Sequence, residues 1–169
     1  MNNVDFWNLI DKSREAADGD ADAQIDQLRS LLSKLQPEEI VDFSRIFAEL
    51  HANAYTWGLW GAAYVIGGGC SDDGFRDFRG WLISRGQKIY ERATELPDSL
   101  ADVVAEDEET QVEGFEYVSW EAWSEATGRD SDEFPDHGIP QTATPKGKSW
   151  KEDEVELARL YPKLTKRFS

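Results

Sequence analysis

The sequence predicts an all-α fold, a single-domain helical bundle of about six to eight helices with a polar loop before the C-terminal helix. Apolar residues recur at three- and four-residue spacing in several segments, and no stretch of any length alternates apolar and polar residues as a half-buried strand does. The 169 residues are 40% hydrophobic and include seven Trp, enough for one sizeable core. We expect a helical core over 1–128, a surface loop over 129–148 and a C-terminal helix over 149–169 that packs on the core.

The N-terminal part of the chain predicts three helices. Asn3 can cap the first, over about residues 4–17. The second, over about 21–35, repeats Ile and Leu at helical spacing and is the clearest amphipathic segment. Pro37 suits the first position of the third helix, because its missing N–H is not needed there, and this helix should extend to about Tyr55.

The middle of the chain predicts a helix with no polar face. From Leu50 to Ser71 there is no Asp, Glu, Lys or Arg, yet one His, one Asn and several Gly interrupt the apolar run. This composition favours a central core helix over a membrane span, which needs about 20 predominantly apolar residues. The glycines at 67–69 should end it, and Ser71 can cap a helix that Gly86 stops or kinks. A shorter helix should follow and end before Pro97.

The C-terminal part is less regular. Residues 98–114 are acidic and give no clear assignment, whereas apolar spacing predicts a further helix over 115–126. After the polar loop, Ser149 and Glu152 have the spacing of a capping box, in which each side chain satisfies the other residue's free amide. We therefore expect the last helix to begin there and to run toward Pro162.

The charge excludes some classes of function. The chain has 34 acidic and 18 basic residues, a formal net charge of -16, which repels nucleic-acid phosphates and anionic lipid headgroups. We expect no nucleic-acid partner and no membrane partner. A single Cys forms no internal disulfide and fits a reducing compartment, and the first residues lack a signal-peptide pattern, so a cytoplasmic location is expected.

The turn after the central helix concentrates the candidate site residues. Consecutive glycines let backbone amides approach a ligand, and two carboxylates and two arginines follow at once. Aromatic residues on the two flanking helices could line a pocket. The candidate binding residues are Trp57, Trp60, Ser71, Asp72, Asp73, Arg76, Arg79 and Trp81. The alternative is a tight turn with no ligand, in which Ser71 caps the helix and Asp72 or Asp73 pairs with Arg76 or Arg79.

Three functions remain open from the sequence. The leading hypothesis is a non-catalytic binding or interaction module whose turn at 67–79 engages an unknown small molecule or protein. The second is a hydrolase-like or metal-dependent enzyme, in which Asp72 and Asp73 act as general base or metal ligands and Arg76 or Arg79 steadies a developing anion. The third is an acidic decoy or DNA mimic, because 98–136 holds fourteen acidic residues and one basic residue.

The sequence does not favour a metal site or a reactive cysteine. With only two histidines, a multi-His metal site is impossible, and we predict neither a metal nor a cofactor. Cys70 lies near a helix start, which would lower the pKa of a thiol, but the adjacent carboxylates oppose this. We expect a buried, inert Cys70 and leave a nucleophile as the alternative.

Several blocks carry a family resemblance. They are Phe6-Trp7 with Leu9-Ile10-Asp11, Trp57-Gly58-Leu59-Trp60-Gly61-Ala62-Ala63-Tyr64, Gly68-Gly69-Cys70-Ser71-Asp72-Asp73-Gly74-Phe75, Phe78-Arg79-Gly80-Trp81-Leu82 and Pro97-Asp98-Ser99-Leu100-Ala101. Together they resemble the bacterial domain-of-unknown-function family 4240 (DUF4240) over roughly residues 3–126. The resemblance implies a bacterial, soluble, helical protein, and it supplies no activity, cofactor or catalytic residue.

Overall fold

The computed structural model describes residues 1–168 and confirms the all-α fold, with no strand in that range. Short 3-10 turns occupy Pro97–Asp102, Phe115–Tyr117 and Ser131–Glu133. The α-helices of the described residues are α1 (Asn3–Ala17), α2 (Ala21–Leu32), α3 (Pro37–Asn53), α4 (Trp57–Gly67), α5 (Asp72–Ser84), α6 (Gln87–Glu95), α7 (Val118–Thr127), α8 (Glu154–Leu160) and α9 (Pro162–Phe168).

The ends of the first helices follow local capping chemistry. Asn2, not Asn3, caps α1, since its side chain accepts a hydrogen bond from the amide of Asp5 at 2.8 Å. Helix α2 ends at Leu32, three residues before the predicted end. Pro37 sets the outer limit of this helix, because it disfavours helical geometry at the preceding Gln36, which is extended.

Helix α4 lies in the core, as its charge-free sequence predicts. Leu59, Ala62 and Ala63 are fully buried, while Trp57, Trp60 and Tyr64 are half-buried on the other side. The C-terminal segment covers that side. The indole of Trp150 donates to the carbonyl of Trp57 at 2.8 Å, and the Tyr161 hydroxyl donates to the carbonyl of Gly58 at 2.6 Å. Among residues 1–168 no helix has both the length and the apolar character that crossing a membrane requires.

The C-terminal end differs from the prediction. The prediction of a capping box at Ser149 and Glu152 is wrong, because α8 starts at Glu154 and Asp153 is its cap. Pro162 does not end the helical region either; it occupies the first position of α9, where proline is well tolerated. The predicted single helix over 149–169 is therefore two helices, and Ser169 lies outside the described residues.

The start of α9 is held by a side chain far away in sequence. The carboxylate of Asp98, in the 3-10 turn before residue 103, accepts hydrogen bonds from the amides of Lys163 and Leu164 at 3.1 and 2.9 Å. A carboxylate satisfies free N–H groups at a helix start and complements the helix dipole. Asp98 thereby fastens the C-terminal helix to the core.

Candidate functional site

A cleft of about 430 Å³ opens between α3, α5 and the start of α7, and the loop over 137–142 forms its outer wall. Its floor and sides mix charged, aromatic and small residues. They include Ser44, Phe47, Ala48, His51, Ala52 and Tyr55 from the α3 side, Asp72, Asp73, Arg76 and Arg79 from α5, Glu116, Tyr117 and Trp120 from the segment leading into α7, and His137, Ile139, Pro140, Gln141 and Thr142 from the loop. A cleft of this size can hold a small molecule.

Half of the residues that the sequence singles out lie at this cleft. The four charged ones, Asp72, Asp73, Arg76 and Arg79, are on its wall. Ser71 does not line it but caps α5, since its hydroxyl accepts a hydrogen bond from the amide of Gly74 at 3.0 Å.

The three candidate tryptophans do not line the cleft. Trp57 stacks on Trp60 with ring centroids 5.2 Å apart, and Trp60 stacks in turn on Phe75. Trp81 is 1% exposed and packs against Phe78, not against the α4 tryptophans. Trp81 belongs to the buried core, and Trp57 and Trp60 are half-buried in an aromatic stack at its edge.

Arg79 is a buried cation with an unusual set of partners. The residue is only 8% exposed, and its guanidinium carbon lies 4.3 Å from the centre of the Tyr55 ring. Its Nε and Nη1 donate to the carbonyls of Phe75 and His51 at 3.4 and 3.2 Å. Burial lowers the pKa of Arg79 to about 10, so the side chain keeps its charge at neutral pH. Within residues 1–168 it forms no ion pair with a carboxylate.

The predicted pairing of Asp72 or Asp73 with Arg76 or Arg79 is wrong for the described residues. Asp72 instead accepts a hydrogen bond from the Tyr55 hydroxyl at 3.1 Å. The side chain of Arg76 contacts other carboxylates, since its Nε lies 3.6 Å from Asp77 and 4.0 Å from Glu116. The reason is the helix register, which places Arg76 beside the turn that carries Glu116.

Glu116 is a charged cleft residue that the sequence did not single out. Both of its carboxyl oxygens are buried and have no hydrogen-bond partner in the described part of the chain, and the same holds for Oδ1 of Asp77 and Nε of Arg76. Burial raises the pKa of Glu116 to about 7, and the negative charge of Asp77 acts in the same direction. Glu116 can therefore gain or lose a proton near neutral pH, which an ordinary surface Glu cannot do.

His51 adds a second polar group with a fixed charge state. Its Nε2 lies 2.9 Å from the carbonyl of Arg76, which can only accept, so Nε2 carries the proton and Nδ1 is the free acceptor. Burial lowers the pKa of His51 to about 4, and the positive charges of Arg79 and Arg76 add to this shift. His51 is therefore neutral in the folded protein at pH 7.

The glycine-rich turn borders a second, open pocket of about 330 Å³, whose other wall is the acidic segment over 106–111. Gly68 and Gly69 have positive φ angles of 65° and 136°, as the turn geometry requires. The amide of Gln111 packs against Gly67, where a Cβ would lie 2.5 Å from its Nε2, and this Nε2 donates to the carbonyl of Gly69 at 3.0 Å. The space beside Gly68 and Gly69 is open, but the acidic side chains of 106–109 make this pocket unfavourable for an anion.

Cys70 is expected to react slowly. It is half-buried, and burial raises the pKa of its thiol to about 12, with the charges of Asp72 and Asp77 contributing. Since the thiolate is the reactive species, iodoacetamide at pH 8 should modify the native protein at least about a hundredfold more slowly than the urea-unfolded protein. Mass spectrometry over time measures both rates, and equal rates would show that the fold does not protect this thiol.

No group of three or more His, Cys, Asp or Glu side chains that could hold a metal ion occurs among residues 1–168. Asp72 and Asp73 therefore lack the additional ligands that a protein-bound divalent cation usually has.

The fold and the cleft define an all-α domain with a charged cleft between its helices. Residues 1–125 match the family described as Protein of unknown function (DUF4240). The chain belongs to this family, which confirms the resemblance seen in the sequence. The matched segment includes the parts of α3 and α5 that line the cleft and Glu116, whereas the loop over 137–142 lies beyond it. No curated protein and no solved structure matches the chain.

Proposed function

We propose that the protein is a non-catalytic binding module that holds a small molecule in the cleft between α3, α5 and α7. The observation that carries this proposal is that buried polar atoms of Glu116 and Arg76, beside an open cavity, make no hydrogen bond and contact each other only at 4.0 Å. Buried polar groups in proteins almost always have a hydrogen-bond partner, and leaving one unpaired costs about 1–3 kcal/mol. A ligand that enters the cleft and separates Arg76 from Glu116 would supply the missing hydrogen bonds.

The mixture of side chains supports a small molecule as the occupant. Phe47, Trp120 and Ile139 offer apolar surface, while His51, Arg79 and Glu116 offer a few convergent polar groups. Binding sites for small molecules typically combine an apolar lining with a small number of polar groups that fix the orientation of the ligand.

A second candidate function is acid–base catalysis in the same cleft. One observation favours it, namely that the pKa of Glu116 is raised to about 7, where a carboxyl group can both donate and accept a proton during a reaction. This candidate assigns the proton-transfer role to Glu116, whereas the sequence alone suggests Asp72 and Asp73. It predicts that a molecule bound in the cleft is converted to product and that Glu116→Gln stops the conversion without preventing binding.

Filling the cleft tests the binding proposal. Ala48 is half-buried on the α3 wall, so Ala48→Trp should occupy much of the cavity. We expect this variant to weaken any small molecule found in an NMR fragment screen by about tenfold or more, because that ligand loses its space. Ala126→Trp, on the exposed part of α7 and away from the cleft, is the matched control and should bind as the wild type does.

The screen also separates the alternatives. Ligands whose binding shifts the Trp120 indole signal and is lost in Ala48→Trp support the proposal. Ligands that bind Ala48→Trp and wild type equally contradict it. An acidic decoy, in contrast, would show no small-molecule ligand and a strongly salt-dependent association with a basic protein.

A further inference from the structure

We propose that the ligand of this cleft carries an oxyanion, a carboxylate or a phosphate group, that Arg79 and Arg76 bind together. The inference rests on the proposed function and deepens it by naming the chemical class of the ligand. It goes beyond cleft binding as such, since a cleft of this shape could equally hold a cation or a neutral molecule.

The first step of the argument is the incomplete pairing of Arg79. A guanidinium has five N–H donors and is seldom buried without an anionic partner. Here the residue is 92% buried by surface area, being 8% exposed, and two of its nitrogens donate to carbonyl oxygens. The third, Nη2, has no hydrogen-bond partner among residues 1–168, and Arg79 lines the cleft. An oxyanion in the cleft would supply both the missing acceptor and the missing charge.

The orientation of Arg79 is fixed before any ligand arrives. The Tyr55 and Phe75 rings lie 4.3 and 4.9 Å from its guanidinium carbon, and two carbonyls hold its Nε and Nη1. A guanidinium held in this way loses little conformational freedom on binding, so a larger part of the contact energy appears as affinity.

Arg76 supplies the second positive charge. It lies one helical turn before Arg79 on α5, so both side chains can reach the same region of the cleft. Its side chain is 41% exposed, and its contacts to Asp77 and Glu116, at 3.6 and 4.0 Å, are longer than a charge-assisted hydrogen bond of about 2.7–2.9 Å. Arg76 therefore has donor capacity left for a ligand.

The acidic side chains around the cleft repel a bound anion less than their number suggests. The Asp72 carboxylate already accepts a hydrogen bond from Tyr55, and Asp73 is exposed to solvent. Glu116 is largely protonated at about pH 6, since burial raises its pKa to about 7. In this state Glu116 carries no charge and does not repel an oxyanion.

The test uses simple oxyanions as probes of the full-length protein. The side-chain Nε–Hε signals of Arg76 and Arg79 are followed by NMR at about pH 6 during titration with sodium phosphate, and separately with sodium acetate, to roughly 50 mM, since single ions bind in the millimolar range. Sodium chloride at the same ionic strength is the control. We expect saturable shifts of both arginine signals with phosphate or acetate and none with chloride. A response to phosphate alone assigns a phosphate-bearing ligand, and a response to acetate alone assigns a carboxylate.

Variants establish which residues bind the anion. Arg76→Gln and Arg79→Lys should each weaken the binding by about tenfold, because the first removes a charge and the second removes the planar fork of donors. Arg45→Gln, on α3 and paired with Glu49 outside the cleft, is the matched control and should leave the binding unchanged. Arg76 is partly exposed, so its variant should fold even if the Arg79 variant does not.

Three results would overturn the inference: shifts that grow without saturation, shifts equal to those in chloride, or anion binding that Arg76→Gln leaves intact. Its failure is distinguishable from failure of the proposed function. If neither anion binds but the fragment screen finds cationic or neutral ligands that Ala48→Trp excludes, the cleft is a binding site for another class of ligand.

Discussion

Replacing Glu116 by Gln is expected to raise the free energy of unfolding at pH 8 by about 3 kcal/mol, a large effect for one substitution. At pH 8 the wild-type carboxyl is ionised in both the folded and the unfolded chain. In the folded chain the charge is buried beside Asp77, which raises the pKa from 4.5 to about 7. Gln has nearly the same shape and carries no charge, so the variant avoids this penalty.

The sign of the pH dependence follows from the direction of the shift. Because the folded chain holds the proton of Glu116 more tightly, its contribution to stability is complete below pH 4.5 and is lost as the pH rises toward 7. His51 acts in the opposite direction. Its pKa falls from 6.5 in the unfolded chain to about 4 in the folded one, so its contribution is present above pH 6.5 and is lost as the pH falls toward 4.

In the wild type, the contributions of Glu116 and His51 to stability change in opposite directions with pH. In the Glu116→Gln variant only the contribution of His51 remains. Urea unfolding of both proteins from pH 4 to pH 8 measures this, and the difference between the curves isolates Glu116 because all other groups are common to both. We expect the difference to grow by about 3 kcal/mol between pH 4.5 and pH 7. Glu125→Gln, at an exposed position of α7, is the control and should change stability by less than about 0.5 kcal/mol. If the curves of stability against pH are parallel for the two proteins, the fold does not raise the pKa of Glu116.

Gly61→Ala is expected to destabilise the protein by about 3 kcal/mol, although alanine favours a helix more than glycine does. A Cβ at this position would lie 2.7 Å from Cζ of Tyr161, which is far inside van der Waals contact. Tyr161 is 4% exposed and its hydroxyl is hydrogen-bonded, so the ring cannot turn aside without leaving its site. Its hydroxyl would then lose the hydrogen bond to the carbonyl of Gly58, and the C-terminal helices would move away from α4.

The matched control lies one turn earlier on the same helix. A Cβ at Gly58 would lie 3.4 Å from Cγ of Pro97, an ordinary contact, so Gly58→Ala should be neutral or slightly stabilising. Thermal unfolding compares the two variants, and tryptophan fluorescence reports whether Trp57 and Trp150 become exposed. If both alanine variants unfold at the wild-type temperature, the approach of Tyr161 to α4 is looser than the structure shows.

The helices of the first hundred residues were predictable because their signals are local. Caps such as Asp20 and Ser71 and the glycines at 67–69 act on the nearest turn of backbone, and apolar spacing marks the buried side. The C-terminal helices were predicted less well because their ends depend on distant residues. The start of α9 at Pro162, for example, is capped by Asp98, which lies far away in the sequence.

The candidate site was predictable in part, again for physical reasons. The charges of α5 stand out in the sequence, and four of them line the cleft. Glu116 does not stand out, because it is one of many acids in its segment. Glu116 packs against Gly80, where a Cβ would lie 3.5 Å from its carboxyl carbon, and no local sequence pattern predicts such a contact. The sequence of the loop over 137–142 is typical of a polar surface, and only the tertiary structure places this loop at the cleft.

The covering of α4 by Trp150 and Tyr161 has a practical consequence for recombinant work. The segment matched by the family ends at residue 125, before either of these residues. A fragment cut there would expose the rings of Trp57 and Tyr64, which Trp150 now contacts, and it would leave the Asp98 carboxylate without the amides it now binds. Such a fragment should aggregate during purification more readily than the 169-residue chain.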